Sequence, residues 1–246
     1  MIESDVHVSR DGHAVLAHDP DGSRLAGDPR PLADCTLAEI ERWDLARAHC
    51  GGASSGTPAR IPTLDAALTR LPNACWNLDI KTHDARALPA VLDVIARHGV
   101  HARVLLTSFS SVVTHELRAR GYKGPIGLAQ TEAIAAVFTP NALLRAWTPA
   151  FICAGARLQI PTRSAGIPLA RRALTDKLRA LGVPVDYWVI NDAQEAERLL
   201  MLGAQGIVTD DVQAMATLFE RSSLTAGWRT RRSSRLEKAP KQLARE

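Results

Sequence analysis

Short apolar runs alternate with amphipathic helical patterns along most of the chain. Strands that are joined by crossover helices pair in parallel, so this order predicts an α/β fold. The length of 246 residues is within the range of one α/β barrel domain. The pattern predicts strands over residues 2–8, 76–81, 103–108, 125–129, 151–154, 185–190 and 206–209. It predicts helices over residues 36–43, 63–70, 85–98, 110–120, 139–147, 167–181, 193–202 and 212–220.

The first apolar run brings two carboxylates to one face of a strand. Glu3 and Asp5 are two residues apart, and side chains at i and i+2 of a strand share a face. Such a pair can hold one hard cation through its oxygens. Asp11-Gly12 separates two alternating apolar runs and predicts a hairpin. The returning arm carries His18 back to the end of the hairpin that holds the carboxylates.

Several segments form an ordered set of motifs. The opening segment supplies Glu3, Asp5, Val6, Ser9, Asp11, Gly12, Val15, His18, Asp19 and Arg24. The later segments are Thr36-Leu37-Ala38-Glu39-Ile40, Ile61-Pro62-Thr63-Leu64, Asn77-Leu78-Asp79-Ile80-Lys81, Ser108-Phe109, Trp188-Val189-Ile190-Asn191 and Gly206-Ile207-Val208-Thr209-Asp210. In this order, over most of the chain, these motifs resemble the glycerophosphodiester phosphodiesterase family.

The resemblance implies an α/β fold of the TIM (β/α)₈ barrel type. The barrel domain is expected over residues 1–220, with a basic tail over residues 221–246. Seven core strands are predicted where a closed barrel has eight. The family's opening His-Arg-Gly and Pro-Glu-Asn segments have no counterpart before Glu3, so the first strand and helix are expected to be lacking. A start codon assigned too far downstream and a truncated paralogue both explain this pattern.

The resemblance also implies a reaction and a cofactor. Family members hydrolyse glycerophosphodiesters to glycerol 3-phosphate and an alcohol, and lysophospholipids are a related substrate class. Glu3, Asp5 and Asp79 are the expected ligands of a divalent cation, Mg²⁺ or Ca²⁺. Asp79 stands where the family commonly has Glu, which is one methylene longer.

The remaining site residues follow from the same motifs. His18 is the expected general acid or base, because imidazole titrates near neutrality. Lys81 shares a strand face with Asp79 and is expected to bind the phosphate. Trp188 is expected to contact the substrate, although packing in the barrel explains it equally well. His7 and His83 are weaker candidates for the second acid–base histidine of the family.

These motifs leave the activity of the chain open. With one matched acid–base histidine, hydrolysis is expected to be impaired. A catalytically inactive paralogue that acts as a binding protein is the first alternative. A phospholipase D-like lipid phosphodiesterase is the second.

Charge and cysteine content limit which partners and which cellular location are expected. Residues 221–246 carry eight Lys/Arg and two Asp/Glu, so the net charge of +4 is a property of the tail. Disorder is favoured for this segment; weak contact with a membrane surface is the alternative, and nucleic acid is not an expected partner. No apolar run reaches the length of a membrane span. Four cysteines without metal or redox spacing favour a reducing compartment, so a cytoplasmic location is expected.

Overall fold

The computed structural model describes residues 1–46, 58–81, 87–140, 143 and 155–221 of an α/β protein. The chain divides into two compact units. The first comprises Met1–Gln159 and Asp176–Pro184, and the second comprises Ile160–Thr175 and Val185–Glu246.

Strands and helices alternate after an antiparallel start. The strands are β1 Ile2–Val8, β2 Ala14–Leu16, β3 Asp21–Gly22, β4 Asp28–Pro31, β5 Trp76–Ile80, β6 Val104–Thr107, β7 Leu158–Ile160, β8 Arg163–Ser164, β9 Ile167–Pro168, β10 Val185–Tyr187 and β11 Gly206–Ile207. The helices are α1 Ser23–Ala26, α2 Leu37–Ile40, α3 Leu64–Arg70, α4 Ala87–His98, α5 Ser111–Ala119, α6 Gln130–Phe138, α7 Arg172–Arg179, α8 Ala193–Met201 and α9 Val212–Arg221. Short 3₁₀ turns cover Leu32–Asp34 and His101–Arg103.

The predicted hairpin is confirmed. Strands β1 and β2 are antiparallel, with Val6 opposite Leu16 and Val8 opposite Ala14. The turn closes through the amide of Gly12, which donates to the carbonyl of Ser9 at 3.0 Å. Gly12 has a φ of 85°, a conformation that glycine adopts without steric cost. The hairpin therefore returns the chain toward the end of β1 that carries Asp5.

The parallel strands of the first unit set the register of the site. The sheet has the order β2-β1-β5-β6. Asp5 pairs with Asp79 on β5, and Asp79 pairs with Thr107 on β6. Every residue of β5 is buried, as is typical of a parallel strand that is covered on both faces. Residues 125–129, predicted as a strand, make only single parallel bridges, from Ile126 to Leu106 and from Gly127 to Arg157.

Helices α3, α4 and α5 cover one face of this sheet. The core cluster joins Leu64 and Leu68 of α3 to helices α4 and α5 and to the sheet. The other members include Leu78, Leu88, Val91, Ile95, Leu106, Val113 and Leu117, all of them buried. A second cluster lies around Val15, Leu32, Cys35, Ile40, Trp43 and Ile61. The apolar positions predicted for these helices therefore face the core.

Gly127 is required by its neighbour on β6. A Cβ atom at this position would lie 2.5 Å from Cγ2 of Thr107. We therefore expect Gly127→Ala to lower the free energy of unfolding by roughly 1–3 kcal/mol, the usual cost of overpacking. Urea unfolding measures this change. Thr107→Ser removes the clashing methyl and keeps the hydroxyl, so the double variant should recover most of the loss; equal stability of Gly127→Ala and the double variant would contradict the steric explanation.

The second unit contains a parallel strand pair and an exposed hairpin. Strands β10 and β11 pair in parallel, with Asp186 opposite Gly206. Strands β8 and β9 form an antiparallel hairpin with Arg163 opposite Pro168. The prediction of one helix over residues 167–181 is therefore wrong at its start, and α7 begins at Arg172. The physical reason is Pro168, because the residue before a proline avoids the helical conformation.

Helix α6 and strand β7 are among the elements that were not predicted. Helix α6 carries Ile134 and Phe138 on its exposed side, so its apolar spacing does not indicate the buried face. Strand β7 spans Leu158–Ile160, whereas the strand predicted over residues 151–154 lies outside the described residues. The predicted helix over residues 139–147 and the basic tail from residue 222 are also outside them, apart from isolated positions. Within the described ranges, no helix is long and apolar enough to cross a membrane.

Candidate active site

One ammonium group joins the carboxylates of two neighbouring strands. Nζ of Lys81 lies 2.9 Å from Oδ1 of Asp5 and 2.8 Å from Oδ2 of Asp79. Both carboxylates are nearly buried, with side-chain exposures of 10% and 11%. Burial opposes the charge on Lys81, but the hydrogen bonds to Asp79 and Asp5 raise the pKa of its ammonium above the usual value. The structure thus brings together three of the residues that the sequence predicts for the site.

Glu3 adds a third acidic group next to this pair. The pKa of its carboxyl is raised to about 7, first by burial and then by the negative charges of Asp5 and Asp79. Lys81 and His18 lower it by a smaller amount. The Glu3 residue is exposed as a whole, yet its carboxyl group is desolvated enough for its pKa to rise. The cluster therefore has more negative charge than Lys81 compensates, and an added cation would be favoured there.

The donor set fits a hard divalent cation. Asp5 and Asp79 already hold one positive charge between them, and the Lys81 ammonium stands in for an ion at that position. Carboxylate oxygens are the ligands that Mg²⁺ and Ca²⁺ prefer. Among the described residues, no three His, Cys, Asp or Glu side chains are already arranged around a single ion position. Binding of a cation by Glu3, Asp5 and Asp79 therefore requires these side chains to close in and Lys81 to move.

His18 is held by a neighbouring carboxylate. Nδ1 of His18 lies 2.9 Å from Oδ1 of Asp19, and Nε of Arg24 donates to Oδ2 of Asp19 at 2.6 Å. The hydrogen bonds from Arg24 and then from His18 lower the pKa of Asp19. With Nδ1 directed at Asp19, Nε2 is the ring nitrogen available for proton transfer. His18 was predicted from the sequence, whereas Asp19 and Arg24, which follow it in the same motif, had no assigned role.

A cavity connects the acidic cluster with His18. It has a volume of about 340 Å³, and its lining includes Glu3, Asp5, His18 and Asp19. This size is within the range of small-molecule sites. A wider depression of about 490 Å³ lies around Gly27, Asp28 and Arg42 and shares no lining residue with this cavity. The cavity at the acidic cluster is therefore the candidate active site.

His7 is buried close to the same groups. Only 8% of His7 is exposed, and within the described part of the chain its Nε2 has no hydrogen-bond partner. Burial lowers the pKa of His7 below its usual value, although a hydrogen bond to the main chain of His18 partly opposes this shift. His83, the other weaker candidate, lies outside the described residues.

Phe109 and Thr107 contact Lys81 and Asp79, and the sequence did not reveal these contacts. Nζ of Lys81 lies 5.7 Å from the ring centroid of Phe109, a cation–π distance, and Phe109 is 54% exposed. The hydroxyl of Thr107 lies 3.4 Å from Oδ1 of Asp79, a long contact that orients the carboxylate weakly. The Ser-Phe motif was visible in the sequence, but its position beside Lys81 was not.

Trp188 belongs to the second unit. It follows β10, is half-buried, and its amide donates to the carbonyl of Ile160 at 3.2 Å. In the same region, Oδ1 of Asn191 accepts hydrogen bonds from the hydroxyl of Thr209 and the amide of Asp210. Asp192 caps α8, as its position before the helix predicted. The substrate contact expected of Trp188 stays a prediction.

Solved structures share the fold of this chain. A phosphodiesterase from Oleispira antarctica, solved in complex with the product sn-glycerol-3-phosphate, has a TM-score of 0.68 at 21% identity and covers 89% of this chain and 84% of its own. A glycerophosphodiester phosphodiesterase from Agrobacterium tumefaciens has a TM-score of 0.66 at 19% identity, with coverages of 88% and 86%. The fold class predicted from the sequence, α/β of the TIM-barrel type, is thereby confirmed. These comparisons define the fold of the chain, an α/β barrel.

Sequence comparisons identify the family. The model of the "Glycerophosphoryl diester phosphodiesterase family" matches residues 1–214. A Mycobacterium tuberculosis protein named "Probable glycerophosphodiester phosphodiesterase 2" is 32% identical over 210 residues, which are 85% of this chain and 75% of that protein. Human "Lysophospholipase D GDPD1" is 27% identical over 239 residues, with coverages of 85% and 74%. The chain belongs to the glycerophosphoryl diester phosphodiesterase family, a family of phosphoric diester hydrolases.

Proposed function

We propose that this chain hydrolyses glycerophosphodiesters to glycerol 3-phosphate and an alcohol, with Mg²⁺ or Ca²⁺ held by Glu3, Asp5 and Asp79. The observation that carries the proposal is the convergence of Asp5 and Asp79 on the Lys81 ammonium. Family membership supports the reaction. The cavity lined by Glu3, Asp5 and His18 supports the location.

Each residue has a distinct task in the proposed reaction. A bound divalent cation supplies positive charge to the phosphate oxygens. Lys81, once released from Asp5 and Asp79, binds another phosphate oxygen. Nε2 of His18 donates a proton to the leaving alcohol oxygen, and Asp19 stabilises the protonated imidazole. The bond between phosphorus and the leaving oxygen breaks, and the oxygen of a water molecule forms the new bond to phosphorus. That water releases one proton to the solvent, and His18 takes up a proton from the solvent before the next turnover.

A low rate in the absence of added cation is part of the proposal. In this conformation the Lys81 ammonium is paired with Asp5 and Asp79 and is not available to a phosphate. This pairing supports impaired hydrolysis until the ammonium is released. A catalytically inactive binding protein is the competing function, and it predicts no turnover at any cation concentration.

An assay of product release tests this function. The purified protein is treated with chelator and then incubated with glycerophosphocholine and glycerophosphoethanolamine, with and without Mg²⁺ or Ca²⁺. We expect release of glycerol 3-phosphate that depends on the cation. Binding of substrate without release under any condition would favour the inactive binding protein.

Lys81→Met should separate cation binding from phosphate binding. The ammonium competes with the cation for Asp5 and Asp79 and repels it by its own positive charge. Its removal should therefore raise the affinity for Mg²⁺ or Ca²⁺ at pH 8 severalfold. The loss of a phosphate contact should lower kcat/KM by about 10–10². Calorimetric titration and the release assay measure the two effects. Lys123→Met, at an exposed lysine, is the control; an unchanged cation affinity in Lys81→Met would show that Lys81 does not compete for the carboxylates.

A further inference from the structure

Asn77 is buried on the face of β5 that carries the site. It precedes Asp79 by two positions, so the two side chains leave the same face of the strand. In the parallel pairing of β1 with β5, Asn77 lies directly opposite Glu3. Only 4% of Asn77 is exposed. Its amide group is therefore held inside the protein, beside two of the carboxylates that are expected to bind the cation.

One end of this amide has a partner and the other end has none. Nδ2 of Asn77 donates a hydrogen bond to Oε1 of Gln159 at 3.3 Å. Within the part of the chain that the structure describes, Oδ1 of Asn77 has no hydrogen-bond partner. Buried polar groups in proteins are rarely left in this state, because an unpaired acceptor costs free energy. Oδ1 is therefore an oxygen that is ready for a ligand.

The surroundings of Oδ1 limit what this ligand can be. Ionised carboxylates only accept hydrogen bonds, so Glu3 and Asp79 in that form cannot serve another acceptor. The ammonium of Lys81 is already engaged by Asp5 and Asp79. A hard divalent cation attracts carboxylate and amide oxygens together. The unpaired oxygen of Asn77 thus calls for the same ligand as the acidic cluster beside it.

We propose that Oδ1 of Asn77 supplies a fourth oxygen to the cation site of Glu3, Asp5 and Asp79, and that this oxygen favours Ca²⁺ over Mg²⁺. The inference rests on the cation site of the proposed function and names the preferred cation. Ca²⁺ takes about six to eight oxygen ligands in flexible geometry, amide oxygens of Asn among them, whereas Mg²⁺ keeps several of its waters. A neutral oxygen also adds a ligand without increasing the repulsion among the three carboxylates.

Asn77→Leu tests the oxygen, because leucine has a similar volume and no polar atom. Calorimetric titration of chelator-treated protein at pH 8 measures the affinity. We expect the affinity for Ca²⁺ to fall by about 10–100-fold, the usual cost of losing a group that supports a metal site. The affinity for Mg²⁺ should fall less, and equal losses would overturn the preference for Ca²⁺. An unchanged Ca²⁺ affinity, as expected if a water molecule serves Oδ1, would overturn the inference.

Gln159→Leu is the matched control for this variant. It removes the hydrogen bond to Nδ2 of Asn77 and leaves Oδ1 in place. Its affinity for Ca²⁺ should therefore stay close to that of the wild type. A loss as large as that of Asn77→Leu would show that the link between the two amides supports the site, and would overturn the assignment of Oδ1 as a ligand.

Asn77→Asp keeps the oxygen and adds a charge, so it decides the question even if Asn77→Leu does not fold. In chelator, the added carboxylate repels those of Glu3 and Asp79, and the melting temperature should be lower than that of the wild type. Ca²⁺ should then raise the melting temperature by more than it does in the wild type, because a ligand that binds the native state stabilises it. A smaller rise than in the wild type would overturn the inference.

The release assay separates this inference from the proposed function. Ca²⁺ binding that depends on Asn77, without release of glycerol 3-phosphate under any condition, would support the inference and refute the proposed function. Release that reaches half-saturation at the same Ca²⁺ concentration in the wild type and in Asn77→Leu would overturn the inference and leave the proposed function intact. Wild-type protein that binds no Ca²⁺ would overturn the inference whatever its activity.

Discussion

Replacing His18 by alanine is expected to lower kcat/KM for glycerophosphocholine by about 10²–10⁴, the usual cost of losing a general acid or base. The imidazole is 75% exposed, so the fold should be unaffected. The loss should fall mainly on kcat, since His18 acts on the leaving oxygen in the transition state. Release of glycerol 3-phosphate measures the change.

Two further variants make this test specific. Asp19→Asn removes the charge that stabilises protonated His18 and should lower kcat by about tenfold, less than the loss of the imidazole itself. His115→Ala, at an exposed histidine on α5, should have no effect. Full activity of His18→Ala would exclude His18 as the proton donor. Equal losses in His18→Ala and His115→Ala would point to a general effect on the protein.

Asp5→Asn and Asp79→Asn are each expected to lower cation-dependent hydrolysis by about 10² or more. Charge stabilisation by a bound metal contributes several kcal/mol, and about 1.4 kcal/mol corresponds to a factor of ten. The same variants should lose the increase in melting temperature that Mg²⁺ or Ca²⁺ produces, because only a ligand that binds the native state stabilises it. Thermal melts with and without cation measure this.

The control for these variants is Asp93→Asn. Asp93 is exposed on α4, so the substitution changes the net charge equally and leaves the cavity intact. It should retain both activity and stabilisation by the cation. The circular dichroism spectra of the Asp5 and Asp79 variants must match that of the wild type, because a loss of activity in an unfolded variant would not report on the cation. Asp79→Asn with wild-type activity would contradict the assignment of Asp79 as a ligand.

Local rules predicted the part of the site that lies on β1 and β5. Alternation alone puts Glu3, Asp5 and His7 on one face, and the Asp11-Gly12 turn identifies the hairpin. The parallel register that sets Asp5 beside Asp79 requires pairing over more than seventy positions of sequence. No local pattern specifies such a pairing, and only the resemblance to a family connected the two strands before the structure did.

Contacts that depend on side-chain geometry were less predictable. The sequence indicated Lys81 as a phosphate ligand. Its pairing with Asp5 and Asp79 depends on the register of β1 against β5 and on the rotamer of Lys81. Arg24 had no assigned role, because it contacts Asp19 and its effect on His18 is indirect. The raised pKa of Glu3 likewise depends on burial and on the charges of Asp5 on its own strand and Asp79 on β5. Such effects arise from tertiary proximity, which periodicity does not encode.

The central claim is that the Asp5–Asp79 pair binds the cation that hydrolysis requires. It is tested most directly by titrating Mg²⁺ or Ca²⁺ into chelator-treated protein while heat of binding and release of glycerol 3-phosphate are followed on the same sample. The account predicts that both signals reach half-saturation at the same cation concentration in the wild type, and that both are absent in Asp5→Asn. Product release that persists in chelator, or that saturates normally in Asp5→Asn, would contradict it.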